Sequence, residues 1–330
     1  MDFHYFPSMK KFFLLLFLFI AFMQLNTAKA AEVIVPPDTV KVGVYFISLH
    51  DIDFRQKEYT VRFWLWFRYK NKAFDFAKNV EVPNAKSIEN TDNYTDTANG
   101  EVFTLMKMKC VMKESWEVQN YPFDKQQLEI HIENSQFDSR SLIFVADTVG
   151  EHFDPALTIA GWNISNIIEK TGLQTYETTF GDLTLKEAKS SYASFKVDVF
   201  IDRNAWGLFF KLFLCMYVSF FISYMCFYIH ADSMESRFGL SVGSLFAAVG
   251  NKYIIDSILP ESSTFTLVDS LHAFTFIAIL GTIILSVYSL KLANENKLER
   301  ANQLDHKAAR IMLITYLLLN LIFIVKAIFF

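Results

Sequence analysis

The chain has 330 residues, of which 52% are hydrophobic and 20% charged, with a formal net charge of -4. So small and mixed a charge excludes a polyanion-binding protein, and no nucleic-acid partner is expected. The mean hydropathy of +0.23 averages a first half of ordinary charge with a last third nearly free of it, so two domains are expected.

Lys10 and Lys11 precede an apolar run from Phe12 to Leu25, and Ala28-Lys29-Ala30 offers the small residues that a signal peptidase accepts. Residues 1–30 therefore read as a signal peptide, with the mature chain starting at Ala31. The rival reading is a signal anchor, for which a run of about fourteen apolar residues is short. Cys110, Cys215 and Cys226 form no close-spaced pattern, so no structural disulfide is expected.

From Val40 to Ile201, short runs of β-branched and aromatic residues alternate with polar clusters such as Asn90–Gly100 and Lys186–Ser191, which predicts a β-sandwich of immunoglobulin-like type. The clearest strand is Val61 to Tyr69. Period two sends Val61, Phe63, Leu65, Phe67 and Tyr69 inward and Arg62, Trp64, Trp66 and Arg68 outward. Two outward tryptophans between arginines read either as a partner or ligand surface or as edge packing under a loop. Further on, Tyr121-Pro122-Phe123-Asp124 forms a turn with an apolar tip, followed by the alternating strand Leu128, Ile130, Ile132.

Trp206–His230, Phe238–Leu259, Leu267–Leu290 and Ile311–Phe330 are each long enough to cross a bilayer as a helix. With an external first domain, the link from Ala293 to Ala309, carrying Lys297, Arg300 and Lys307, falls on the cytoplasmic side. The second segment stands apart, with three glycines, several serines, Asn251, Lys252 and Asp256. Polar residues at membrane depth face a bundle interior or water, so this helix reads as a pore wall; a tightly packed helix is the alternative. Helical spacing gathers Glu235, Gly239, Gly243, Phe246, Gly250, Tyr253 and Ser257 on one face, and Ser241, Ser244, Ala248 and Lys252 on the other. Periodicity does not choose between them.

These residues resemble the pentameric ligand-gated ion channels, the Cys-loop receptor superfamily, and in particular its prokaryotic branch. The resemblance spans Pro36 to Phe330 and rests on GVYFISLHDID at residues 43–53, YPFD-KQQL at 121–128, GWNI at 161–164, Arg203 before the first membrane helix, and ILP at 258–260. Glu114 and Leu128 replace the two cysteines that name the superfamily. Cys215 stands where a proline is common, and Lys211 lies near the outer end of that helix.

The resemblance implies a homopentamer in which residues 31–203 form a ten-stranded extracellular ligand-binding sandwich and residues 204–330 a four-helix channel domain. The implied site is a bacterial cell membrane crossed several times, with the sandwich periplasmic or extracellular and the bundle in contact with lipid. Register from Pro260 makes Glu235, Gly239, Gly243, Phe246, Gly250, Tyr253 and Ser257 the lumen, with Phe246 at the apolar gate and Glu235 at the cytoplasmic mouth, where Arg237 would point off the lumen and reach the interface. Five carboxylates there would favour cations. A lumen lined by Ser241, Ser244 and Lys252 would favour anions. Asp53, Asp124 and Arg203 match a charge cluster that couples the two domains. The Pro122-Phe123 tip would press on the loop around Leu259-Pro260-Glu261.

In the family the ligand sits between subunits, which implies Arg62, Trp64 and Trp66 on one wall and Phe180 and Tyr192, flanking the Gly181–Ser190 loop, on the other. The agonist is then a small molecule, a proton or a divalent cation, and the permeant species an inorganic ion. The competing reading is a membrane-anchored sensory or binding receptor that conducts nothing. Metal-spaced His or Cys clusters, a nucleophile elbow and a Gly-rich phosphate loop are all missing from the sequence, so neither an enzyme nor a cofactor is expected.

Overall fold

The computed structural model describes residues 36–329 apart from 151, 152, 155, 184 and 186, so the expected signal peptide lies outside the described residues. Among the described residues nine strands come first, one fewer than the ten that the resemblance implies: β1 Asp38–Asp53, β2 Glu58–Tyr69, β3 Val80–Glu81, β4 Ala85–Ala98, β5 Glu101–Lys113, β6 Lys125–Asn134, β7 Leu142–Ala146, β8 Trp162–Tyr176 and β9 Ser190–Arg203. They form a five-stranded sheet in the order β4-β5-β2-β1-β7 and a four-stranded sheet in the order β3-β6-β9-β8. Every pairing is antiparallel except β1 with β7.

The alternation expected of β2 is present. Val61, Phe63, Leu65, Phe67 and Tyr69 are buried, and so are Leu128, Ile130 and Ile132 of β6 and Phe195, Val197, Val199 and Ile201 of β9. Period two aims each set at the space between the sheets, and burying each side chain contributes about 1.5–3 kcal/mol. The polar stretch Asn90–Gly100, expected as a turn, is mostly strand: β4 pairs with β5 from Ala85↔Met112 to Ala98↔Glu101, and only Asn99 and Gly100 turn. As an edge strand β4 is exposed almost throughout and buries no apolar face, so its sequence carries no alternation.

Four helices follow: α1 Ala205–Tyr224, continued by a 3-10 turn Met225–Tyr228, then α2 Met234–Asp256, α3 Leu267–Asn294 and α4 Leu298–Phe329. Each is long and apolar enough to cross a membrane, which marks a multi-pass membrane protein. The link expected from Ala293 to Ala309 shrinks to three residues, Glu295–Lys297. Residues 298–310 are rich in Leu, Glu, Arg, Ala and Lys, which favour helix without being apolar, so α4 extends well past its hydrophobic stretch. A capping box at Thr266 and Asp269 starts α3, each side chain accepting the other residue's backbone N–H.

On the outer face of β2, Trp66 lies across Gly43 of β1, its register partner, and donates from Nε1 to Asp147 at 3.0 Å. A Cβ at Gly43 would overlap the Trp66 indole. Gly43→Ala therefore should lower stability by about 1–3 kcal/mol through displacement of that ring, whereas Gly43→Ala with Trp66→Leu should recover part of the loss. Thermal unfolding of the purified variants measures both.

Candidate functional site

One residue, Asn204, separates β9 from α1, and Arg203 is the last residue of the strand. Because β9 lies between β6 and β8, the ladder sets Arg203 opposite Trp162 on one side, and its N–H donates to the Asp124 carbonyl on the other. The side chains complete the pattern. Arg203 Nε donates to Asp124 Oδ1 at 2.6 Å and its terminal nitrogen to Oδ2 at 3.1 Å, a two-point ion pair that is almost fully buried. The guanidinium carbon sits 3.9 Å from the Trp162 ring centre, 4.7 Å from that of Phe54 and 5.0 Å from that of Tyr121. Three aromatic faces thus replace much of the hydration that the cation loses. Burial pushes the Tyr121 phenol upward, with nearby Arg203 opposing.

Gln126 donates to Asp124 Oδ2 at 2.7 Å and exchanges two hydrogen bonds with the Glu117 backbone, tying the carboxylate to the loop that carries Pro122 and Phe123. Asp53 does not join this pair. Its carboxylate accepts from the Gln56 N–H at 2.8 Å and its carbonyl accepts from Trp116 Nε1 at 3.1 Å, so it closes its own hairpin.

The Pro122-Phe123 tip, expected against the loop around Leu259-Pro260-Glu261, has its ring contacts on α1. Phe123 packs on Trp206 and Phe209 of α1, with ring centres 5.3 and 5.5 Å apart. The Leu267 N–H of α3 donates to the Gln119 carbonyl at 2.8 Å, and Ala327, Ile328 and Phe329 of α4 line a space beside the same loop. The end of α2 instead faces the β1–β2 hairpin: Ser257, Ile258 and Leu259 share a cavity of about 1010 Å3 with Leu49–Arg55, Trp162 and Arg203. Pro260, next in the chain, is buried.

Packing of α2 separates its two polar faces. Ser241, Ser244 and Ala248 are buried inside the helix bundle, at 1%, 2% and 0% exposure. Lys252 is drawn to Asp269 at 2.8 Å and to Asp256, between the ends of α2 and α3. Arg237 is buried as well, facing into the bundle and not the subunit surface. The other face, with Glu235, Gly239, Gly243, Phe246, Gly250, Tyr253 and Ser257, is exposed along its whole length, Phe246 at 71% and Tyr253 at 77%.

The residues expected to bind ligand stand on separate sheets. Arg62, Trp64 and Trp66 are half-buried on β2, where the Lys107 ammonium lies 5.1 Å from the Trp64 ring centre. Phe180 and Tyr192 belong to the β8–β9 hairpin and join Tyr176, which sequence reasoning missed, in a trio with ring centres 5.4–6.2 Å apart. The Tyr176 hydroxyl donates to Glu133 at 3.0 Å, and Glu133 meets His131 Nε2 at 2.8 Å. Burial first, then the Glu133 carboxylate, pushes the Tyr176 phenol up to about 12. The signal available was the outward pair His131 and Glu133 on β6, two residues apart and opposite Tyr192's strand.

The chain matches no family model, and no curated protein matches it.

Asp124→Ala leaves the Arg203 cation buried among aromatic rings and should destabilise the chain by about 3–5 kcal/mol. Arg203→Lys keeps the charge but loses the two-point fork, so it should recover only part of that loss relative to Arg203→Ala. Unfolding midpoints in detergent decide; wild-type values for Asp124→Ala would remove the pair from its place at the joint.

Proposed function

We propose that the chain is a subunit of a homopentameric, ligand-gated, cation-selective ion channel of the prokaryotic branch of the Cys-loop receptor superfamily. The single observation that carries this reading is the one-sided exposure of α2. A helix that buries Ser241, Ser244 and Ala248 while leaving Glu235, Phe246 and Tyr253 uncovered suits a position with protein behind it and a central space in front. Five copies around an axis would enclose that space, with Phe246 rings forming an apolar gate and Glu235 carboxylates at one mouth. The pairing of Lys252 with Asp269 and Asp256 argues against an ammonium ring in the lumen, and so against anion selectivity.

The joint supports coupling between ligand and pore. Ligand bound against Tyr176, Phe180 and Tyr192 of one subunit, with Trp64 of the next across the interface, would act on the β8–β9 hairpin. Strand β9 leads through Arg203 into α1 with one intervening residue. The hairpin Leu49–Arg55 faces the end of α2 across the joint cavity. In this reading the sandwich lies outside a bacterial cell membrane, the bundle contacts lipid, and the permeant species are inorganic cations.

Purified protein in planar bilayers should show unitary currents that reverse towards the cation equilibrium potential in a salt gradient. Glu235→Ala should roughly halve that shift by removing the mouth carboxylates. An anion-directed reversal in the wild type would reject the lumenal face, and silence under every ligand class tested, together with a monomer in lipid, would reject the channel.

A further inference from the structure

At the end of the bundle away from the sandwich, one guanidinium connects three helices and the turn that ends the fourth. Arg237 of α2 reaches Asp305 Oδ2 of α4 at 2.6 Å, and the two side chains are 2% and 3% exposed. Its Nε donates at 3.1 Å to the carbonyl of Ile229, just past the 3-10 turn that continues α1, and its terminal nitrogen donates to the same oxygen. Ser289 of α3 donates to Asp305 Oδ2 at 2.9 Å. The Cys226 thiol donates to the Arg237 carbonyl at 3.3 Å, binding the backbone of α2 to that same turn. The remaining Arg237 nitrogen and Asp305 Oδ1 have no hydrogen-bond partner among the described residues, and loss of either residue leaves the other's charge buried.

The geometry has a directional consequence. Residues two apart on an α-helix point about 200° apart, so a side chain fixed inward at 237 turns 235 and 239 outward. Glu235 and Gly239 are exposed accordingly. Ser241, Ser244 and Ala248, which continue the buried face, are small and would slide past neighbouring helices at little cost. Among the described residues of α2, Arg237 is the one whose rotation out of place would break a fully buried ion pair.

We infer that Arg237 and Asp305 are positioning residues for the pore-mouth carboxylate: their buried pair sets the rotation of α2 and thereby presents Glu235 to the lumen. This rests on the pore reading above. It also gives the polar start of α4 a role, because Asp305 lies in the stretch that hydropathy alone would leave as a link. A cation at 237 would then serve cation selectivity by facing away from the ions and turning an acid towards them.

The test uses full-length protein in lipid vesicles, with Glu235→Cys in a Cys215→Ser background; the remaining cysteines, Cys110 and Cys226, are buried. A charged, membrane-impermeant thiosulfonate supplied on both sides labels residue 235, and mass spectrometry reads the rate without any current. Adding Asp305→Asn should slow labelling about tenfold, which corresponds to about 1.4 kcal/mol between rotational states. Asp305→Glu, which keeps the charge, should hold the rate near that of the parent. In channels with Glu235 intact, Asp305→Asn should lower the cation-directed reversal shift and Asp305→Glu should preserve it. If Asp305→Asn does not assemble, Ser289→Ala removes the second bond to Asp305 without stranding a charge and should slow labelling by a smaller factor. Parental labelling rates with an unchanged reversal potential in these variants would overturn the inference while leaving the channel intact. Slowed labelling in a protein that passes no current would uphold the positioning pair and reject the channel reading.

Discussion

The joint between sandwich and bundle depends on a guanidinium held out of water. Arg203 occupies the last position of β9, with one residue between it and α1, so its surroundings belong to both halves of the molecule. A buried cation is tolerated only with a compensating charge and polarisable neighbours; Asp124 supplies the first and Trp162, Phe54 and Tyr121 the second. The four partners come from three segments: Asp124 and Tyr121 from the 121–124 turn, Trp162 from the start of β8 and Phe54 from the β1–β2 hairpin. Moving any of these segments changes the environment of a charge, which makes the joint stiff and its energy sensitive to displacement. Gln126 extends the constraint by fixing the second Asp124 oxygen to the Glu117 backbone, which holds the loop that seats Phe123 on α1.

The bundle resolves a different conflict. Two faces of α2 carry polar residues, and close packing selects the one built of small side chains. Ser241, Ser244 and Ala248 let neighbouring helices approach, and the Ser244 hydroxyl returns its hydrogen bond to the Ser241 carbonyl of its own helix. Phe246 and Tyr253 do not fit such an interface and remain uncovered. Gly239, Gly243 and Gly250 on the same face leave open space where side chains would otherwise project. Large exposed aromatics interspersed with glycine leave a face of α2 that the chain itself does not cover, and in the proposed ring of five that face turns to the central space.

Much of this was legible in sequence because burial leaves a period. From Val61 to Tyr69 β2 alternates strictly, and its inward set is part of the core. Four apolar stretches located the four helices, since hydropathy reports what lipid requires. Features without a burial signature were lost. β4 is an exposed edge and reads as a polar turn; the start of α4 projects beyond its apolar stretch and reads as a loop. Pairings across the fold were lost for another reason, because register alone decides them. Asp124 and Arg203 pair as the sequence suggests, yet Asp53, another carboxylate lining the joint cavity, turns back on Gln56. Trp66 reads as a free outward ring until Gly43 is placed beside it by the β1–β2 register. Tyr176 and Glu133, on strands separated by β9, have no sequence proximity to announce them.

The two ends of the bundle use the same device in different surroundings. Arg203 with Asp124 clamps the near end of α1 through aromatic faces, and Arg237 with Asp305 clamps the far end of α2 through a backbone carbonyl and a serine. Both pairs join residues distant in sequence, 79 and 68 positions apart, so both depend on the finished tertiary structure rather than on local helix formation. Between the clamps, α2 carries Gly239, Gly243 and Gly250, each of which weakens a helix by about 1 kcal/mol relative to alanine. None of the three would meet another atom of the described residues on gaining a Cβ, so packing within the chain is not the reason for glycine there. A helix held at its far end by a buried charge, facing the Leu49–Arg55 hairpin at its near end, and weakened in between concentrates bending in its middle. Phe246 projects from that part of α2, so in the proposed channel a displacement of the joint would reach the gate through the stretch that glycine weakens and would leave the proposed Glu235 mouth in place.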